Sequence, residues 1–148
     1  MTNRIYCLLG QTMHELQMME LYLASLLLLN HVSNNSSLSS ISDLKNSAFD
    51  YWSKIDRETM GGKLRQVIKN EIFAGKSEIE VFEFIKNKRN YLVHDFFVVN
   101  DCSLKENVEK CEKELEEMRT WCSLLNKVLK KMVQEAQSFD FNPFVLFS

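Results

Sequence analysis

A run of six residues at positions 89–94, Arg-Asn-Tyr-Leu-Val-His, holds the side chains of this chain that are best suited to acid–base chemistry. A histidine can exchange a proton with a ribose 2′-hydroxyl near neutral pH, and a guanidinium holds a phosphate through paired donors. On a helix, Asn90 and His94 lie one turn apart on the same face. Arg89 is offset from His94 by about 140° around the helix axis, a gap that its long side chain can close. These three side chains, the parts needed for metal-free RNA cleavage, are the predicted catalytic residues.

Two lysines just before this segment add local positive charge. Lys86 and Lys88 lie within one helical turn of Arg89, and they are the predicted substrate-binding residues. A purely structural role is the alternative, because an arginine, an asparagine and a histidine near a helix end can also bind carbonyls and carboxylates such as that of Asp95. Spacing alone favours this structural alternative.

The overall composition is that of one globular helical domain. The chain has 148 residues, of which 45% are hydrophobic and 26% charged, and this suffices for a core without disulfides or metals. One proline and four glycines leave few interruptions, so helices are favoured. The net charge of −2 excludes a protein coated in positive potential, so any contact with nucleic acid must be local. We expect a single domain over residues 1–148.

The cysteines and the apolar segments exclude further classes of protein. Cys7, Cys102, Cys111 and Cys122 form no C-x-x-C pair and have no histidine at metal-ligand spacing, so no metal or other cofactor is predicted. All four are expected to be reduced core thiols. The N-terminus lacks the apolar run of a signal peptide, and the apolar run at 21–29 is too short to cross a bilayer. A cytoplasmic protein with no membrane partner is the expectation.

Hydrophobic periodicity predicts an all-α fold, a bundle of about five helices. The predicted helices begin and end near residues 5–30, 43–55, 62–75, 77–98 and 103–132. Ser42 is the predicted cap of the second helix, and Gly75 is expected just past the end of the third. Capping-box patterns at 77–80 and 103–106 mark the starts of the last two. The candidate catalytic residues therefore lie on the fourth helix.

The last helix carries the most regular apolar pattern in the chain. Its apolar residues alternate in steps of four and three: Leu104, Val108, Cys111, Leu115, Met118, Cys122, Leu125, Leu129 and Met132. This strict heptad seam, with similar spacing in the first helix, predicts that the long first and last helices pack antiparallel inside the bundle. A seam that joins two copies of the chain in a dimer is the open alternative.

Three further features need no catalytic role. Residues 139–148 form an aromatic tail that is interrupted by a proline and predicted to be irregular; it either packs back or contacts a partner. His14 lies within the first helix, and His31 follows its predicted end, where an imidazole can bond the last carbonyls.

The segment at 89–94 resembles the signature of the HEPN family, in which an arginine, directly followed by a polar residue, precedes a histidine by four to six intervening residues. HEPN domains are bundles of four or five helices with this motif on a late helix that is followed by another long one, and the predicted order here agrees. Residues 59–64 and 89–97 also look like the T-L-G-x-L and R-N-x-L-x-H-x-F-F blocks of uncharacterised bacterial helical proteins.

The resemblance implies a function as well as a fold. Catalytic HEPN proteins form homodimers, bring two motifs into a shared cleft and cut RNA without metal to leave a cyclic phosphate. Carried over, it implies that Arg89 stabilises the phosphate, His94 acts as acid or base and Asn90 orients one of them. This chain would then be an endoribonuclease acting as a toxin or in phage defence. The alternative is a non-catalytic binding protein, such as an immunity protein, an antitoxin or a regulatory partner, that contacts a cognate toxin or antitoxin through its acidic last helix or its tail.

Overall fold

The computed structural model describes residues 3–35, 40–73, 76–95 and 104–137, and within these ranges all regular structure is helical. The five helices are α1 (Asn3–Asn34), α2 (Ile41–Ile55), α3 (Met60–Lys69), α4 (Lys76–His94) and α5 (Lys105–Gln137). The long helices α1 and α5 pack together. The predicted all-α fold with about five helices is therefore confirmed. None of these helices is both long enough and apolar enough to cross a membrane.

The chain divides into two compact units. The first comprises Met1–Met19 and Ser77–Lys127, and the second comprises Glu20–Lys76 and Val128–Ser148. Helices α1 and α5 each contribute their N-terminal part to the first unit and the remainder to the second. The single domain over 1–148 stays a prediction, and the aromatic tail at 139–148 lies outside the described residues.

Two helix ends differ from the predicted ones because local hydrogen bonds fix them. The hydroxyl of Ser40, and not of Ser42, caps α2 by accepting from the Asp43 amide at 3.0 Å. Helix α3 ends in a Schellman motif in which the Ile72 amide donates to the Val67 carbonyl at 3.2 Å. A left-handed residue is needed just past this helix end.

Glu71 supplies that left-handed conformation, with φ of 54°. The helix therefore ends at Lys69, earlier than predicted, while the predicted Gly75 lies outside the described residues.

The buried residues of the two long helices do not follow the predicted strict heptad. The buried positions of α5 are Cys111, Leu115, Met118, Cys122, Asn126, Leu129 and Val133. Those of α1 that share the same spacing are Ile5, Leu8, Thr12, Leu16, Met19, Leu23 and Leu27. Each set repeats after eleven residues, whereas the predicted members Leu125 and Met132 are only half-buried and Leu104 is exposed. In a straight α-helix, residues seven positions apart are offset by about 20° around the helix axis. The additional step of four residues in an eleven-residue repeat compensates for this offset.

The two long helices run parallel in the first unit, so the predicted antiparallel packing is wrong. Arg4, near the start of α1, forms an ion pair with Glu112 at 3.4 Å. Further along both helices, the side-chain amide of Asn126 donates to the Glu15 carbonyl at 2.7 Å. Residue numbers therefore increase together along α1 and α5. The four-three spacing reads the same in both directions, so it could not predict the direction of packing.

In the second unit, α1 packs on α2 around Ala48, which is fully buried. Leu28 and Val32 of α1 form a buried cluster with Ala48, and Leu44, Tyr51 and Trp52 of α2 pack against it. Helix α3 adds Lys63, a buried lysine whose ammonium lies 3.9 Å from the Glu20 carboxylate. These contacts position the end of α1, where His31 lies.

The described cysteines differ in exposure, which corrects the prediction that all are core thiols. Cys7 is exposed, while Cys111 and Cys122 are buried. Burial, with a further contribution from the Glu15 carboxylate, raises the pKa of the Cys122 thiol to about 12. At pH 8 only about one Cys122 thiol in ten thousand is then a thiolate, the reactive form.

We therefore expect N-ethylmaleimide at pH 8 to modify Cys7 of the folded protein and to leave Cys111 and Cys122 unmodified for at least about a hundred times longer. Peptide mass spectrometry over a time course measures the three rates separately. The same labelling in 8 M urea serves as the control, because all three thiols should then react. Equal rates for Cys7 and Cys122 in the folded protein would contradict the assignment of Cys122 to the core.

Candidate functional site

Helix α4 leaves two of the three predicted catalytic residues, Asn90 and His94, exposed to solvent. Phe82 and Ile85 are almost completely buried in the core of the first unit, and Arg89 lies on the same side of the helix as these two residues. Arg89 is half-buried, whereas Asn90 is exposed and His94, the last residue of the helix, is exposed as well. The packing of α4 therefore leaves the imidazole open to a ligand.

The structure brings two of the three predicted catalytic residues into contact. The Nη1 atom of Arg89 donates a hydrogen bond to the side-chain oxygen of Asn90 at 3.3 Å. A guanidinium carries five N–H donors, and this contact uses one of them. Asn90 thus restricts the orientation of Arg89, and the position of both on the turn before His94 follows from the helix itself.

The two predicted substrate-binding lysines have different surroundings. The ammonium of Lys86 forms an ion pair with Glu83 at 2.6 Å, so much of its charge is offset within α4. The ammonium of Lys88 lies 5.6 Å from the centre of the Phe84 ring, in a cation–π contact. Of the two lysines, Lys88 is exposed and Lys86 is half-buried, and the role of both in binding a substrate stays a prediction.

A cleft between α4 and α5 in the first unit was not predicted from the sequence. It is lined by side chains that include Phe84, Lys88, Tyr91, Glu114, Glu117 and Trp121, and we call it the aromatic cleft. Phe84 is 48% exposed and Trp121 is 44% exposed, so the two rings form an exposed apolar patch in the cleft. The available sequence signal was Trp121, a large apolar residue that lies outside the predicted seam of α5.

A second polar cluster surrounds His31 in the other unit. The Nε2 atom of His31 lies 2.9 Å from the hydroxyl of Ser47, and its ring stacks on Tyr51 with centroids 4.2 Å apart. The side-chain amide of Asn35 donates to the His31 carbonyl at 2.7 Å and lies 3.4 Å from Nδ1. A serine, a histidine and an orienting amide are the groups of a nucleophilic triad.

The hydrogen-bond directions exclude a catalytic role for Ser47 in this arrangement. The carbonyl contact requires the NH₂ group of Asn35 to face His31, so Nδ1 must accept a hydrogen bond. A neutral imidazole that accepts at Nδ1 carries its proton on Nε2 and donates it to Ser47. His31 therefore cannot remove a proton from Ser47, and the cluster joins α1 to α2.

The same cluster predicts a pH dependence of stability. Burial lowers the pKa of His31 below 6.5, and the positive charge of Lys54 lowers it further. Below about pH 6.5 the unfolded chain then binds more protons than the folded one, so the free energy of unfolding should fall as the pH is lowered. This contribution is fully present above pH 6.5 and is lost as the pH falls through the folded pKa.

Urea unfolding between pH 8 and pH 5 measures this effect. We expect His31→Gln to remove part of the acid-dependent decline, whereas His14→Gln, at an exposed histidine of the same helix, should keep the wild-type decline. Identical pH profiles for wild type and His31→Gln would exclude His31 as a source of the decline.

The chain was compared with protein families, with curated proteins and with solved structures, and none of them matches it. Within the described ranges, no group of three or more histidine, cysteine, aspartate and glutamate side chains is placed to hold a metal ion. The candidate sites are thus defined by their own residues: Arg89, Asn90 and His94 on α4, and the aromatic cleft beside them.

Proposed function

We propose that this protein is a HEPN-like, metal-independent endoribonuclease of the cytoplasm that acts as a toxin or in phage defence. The observation that supports this proposal is the contact between Arg89 and Asn90 on the turn before the exposed His94. A guanidinium and an accessible imidazole on one helix are the two groups that RNA cleavage through the 2′-hydroxyl requires.

In the proposed reaction, the neutral imidazole of His94 removes the proton of a ribose 2′-hydroxyl. The 2′-oxygen then attacks the adjacent phosphorus and the bond to the 5′-oxygen breaks, which yields a 2′,3′-cyclic phosphate and a 5′-hydroxyl. Arg89 stabilises the negative charge that builds up on the phosphate oxygens, and Lys86 and Lys88 hold the RNA backbone nearby.

The leaving 5′-oxygen needs a proton in the same step, and one imidazole cannot act as base and acid at once. A second copy of the chain supplies a second His94 as the acid. We therefore propose a homodimer in which both copies of α4 face one RNA strand. This arrangement also removes the offset between Arg89 and His94 on a single helix, since each phosphate can use the arginine of one copy and the histidine of the other.

Incubation of the wild-type protein with total cellular RNA in EDTA tests the proposal. We expect cleavage, cyclic-phosphate ends on the fragments, and the mass of a dimer in light scattering of the same preparation. Intact RNA over a range of salt and pH would overturn the proposal.

A non-catalytic binding protein, such as an immunity protein, an antitoxin or a regulatory partner, is the second candidate. The exposed rings of the aromatic cleft favour it, because exposed apolar patches rimmed by charge are typical of protein interfaces. Tight binding of one cognate toxin or antitoxin, without cleavage of RNA, would identify this role.

A further inference from the structure

The aromatic cleft combines three exposed or half-exposed rings with two carboxylates. Phe84 and Tyr91 come from α4, while Trp121 and the carboxylates of Glu114 and Glu117 come from α5. We propose that this cleft binds an arginine side chain presented by a protein partner. This binding site shares Lys88 with the proposed ribonuclease site, but the inference does not depend on that activity.

The rings provide a surface for a flat cation. A guanidinium is planar, is weakly hydrated compared with an ammonium, and stacks on aromatic faces. The cleft already holds one cation in this way, since the Lys88 ammonium lies over the Phe84 ring. The space enclosed in the cleft, about 40 Å³, has room for about three water molecules, which is close to the size of a guanidinium group.

Glu114 provides the most specific feature of the cleft. Its Oε2 atom is buried and accepts no hydrogen bond from the described part of the chain. A buried carboxylate oxygen without a donor is unfavourable, and a ligand that brings an N–H group to it is correspondingly favoured. A guanidinium supplies paired donors in one plane, with a positive charge that complements Glu114 and Glu117 together.

The charge of the cleft favours a cation over a nucleotide. Two carboxylates and one ammonium give it a net negative charge, which attracts a guanidinium and repels a phosphate. Lys88 then competes with the bound arginine for the Phe84 ring. Removal of Lys88 should therefore strengthen arginine binding, although the same substitution should weaken any binding of RNA.

The test uses the peptide acetyl-Gly-Arg-Gly-amide as a probe, with a control peptide that has citrulline in place of arginine. Citrulline keeps the flat shape but has no charge. Binding is followed by the fluorescence of Trp121 in a Trp52→Phe protein, because the chain has two tryptophans. In the wild type, the NMR signal of the Trp121 indole N–H gives a second readout that needs no substitution.

We expect the arginine peptide to bind at least about tenfold more tightly than the citrulline peptide. Glu114→Gln should lose this preference, whereas Glu109→Gln, at an exposed glutamate of the same helix outside the cleft, should keep it. Lys88→Ala should raise the affinity several-fold.

Equal affinity for the two peptides, or an unchanged preference in Glu114→Gln, would overturn the proposal. So would tighter binding of GMP or UMP than of the arginine peptide, weakened by Lys88→Ala, because the cleft would then be a nucleotide site. Each of these results leaves RNA cleavage by the Arg89 and His94 site to be judged by its own assay.

Discussion

Substitution of Arg89 or of His94 by alanine is expected to lower the rate of RNA cleavage by at least about 100-fold. Removal of a general base typically lowers a rate by about 10² to 10⁴, and loss of a group that stabilises developing negative charge has an effect of about 10² to 10³. His94 is exposed and Arg89 is only half-buried, so both variants should keep the fold of the first unit. The loss would then report on chemistry and not on stability.

The measurement is the initial rate of cleavage of a defined RNA in EDTA, with circular dichroism and light scattering on the same samples. Arg65→Ala and His14→Ala are matched controls, because they remove the same residue types at exposed positions of α3 and α1. Both controls should cleave at the wild-type rate. If folded, dimeric His94→Ala protein cleaved as fast as the wild type, His94 could not be the base of the reaction.

Helix content and the order of helices could be predicted from the sequence because apolar periodicity and caps act locally. Their ends were harder to predict: Ser40 and Ser42 are equally good caps, and only the fold of the backbone decides between them. The packing partners of α5 were predicted in part. Its seam contains Asn126 in place of the predicted Leu125, because a real helix drifts away from an exact heptad.

In the candidate site, too, the features that one helix determines could be predicted, and the features that depend on packing between helices could not. The turn that joins Arg89, Asn90 and His94 follows from spacing along one helix. The ion pair of Lys86 with Glu83 also forms within one helix. Each of the two side chains has several possible partners nearby, so the sequence alone does not determine which ion pair forms. The aromatic cleft forms because Phe84 of α4 and Trp121 of α5 line the same space. The pattern within a single helix does not predict which residues of two helices lie next to each other.

Replacement of Asn126 by aspartate is expected to reduce the free energy of unfolding by about 3–5 kcal/mol. The Asn126 side chain is 7% exposed, and its NH₂ group donates to both the carbonyl oxygen and the carboxylate of Glu15, each at 2.7 Å. An aspartate has the same shape but no donor, and it would place a negative charge against these two oxygens. Urea unfolding monitored by circular dichroism measures the loss.

Two further variants separate the charge from the missing hydrogen bonds and also test the contact between Glu15 and Asn126. Asn126→Leu removes the same donors without adding a charge, so its loss should be smaller, about 1–2 kcal/mol. Glu15→Gln, added to Asn126→Asp, replaces the repelling carboxylate with an amide that can donate to the new side chain, and it should restore at least about half of the lost stability. If the side chains at positions 15 and 126 did not touch in solution, the second substitution would restore nothing. Recovery in the double variant would therefore establish in solution one of the two contacts that together define the common direction of α1 and α5.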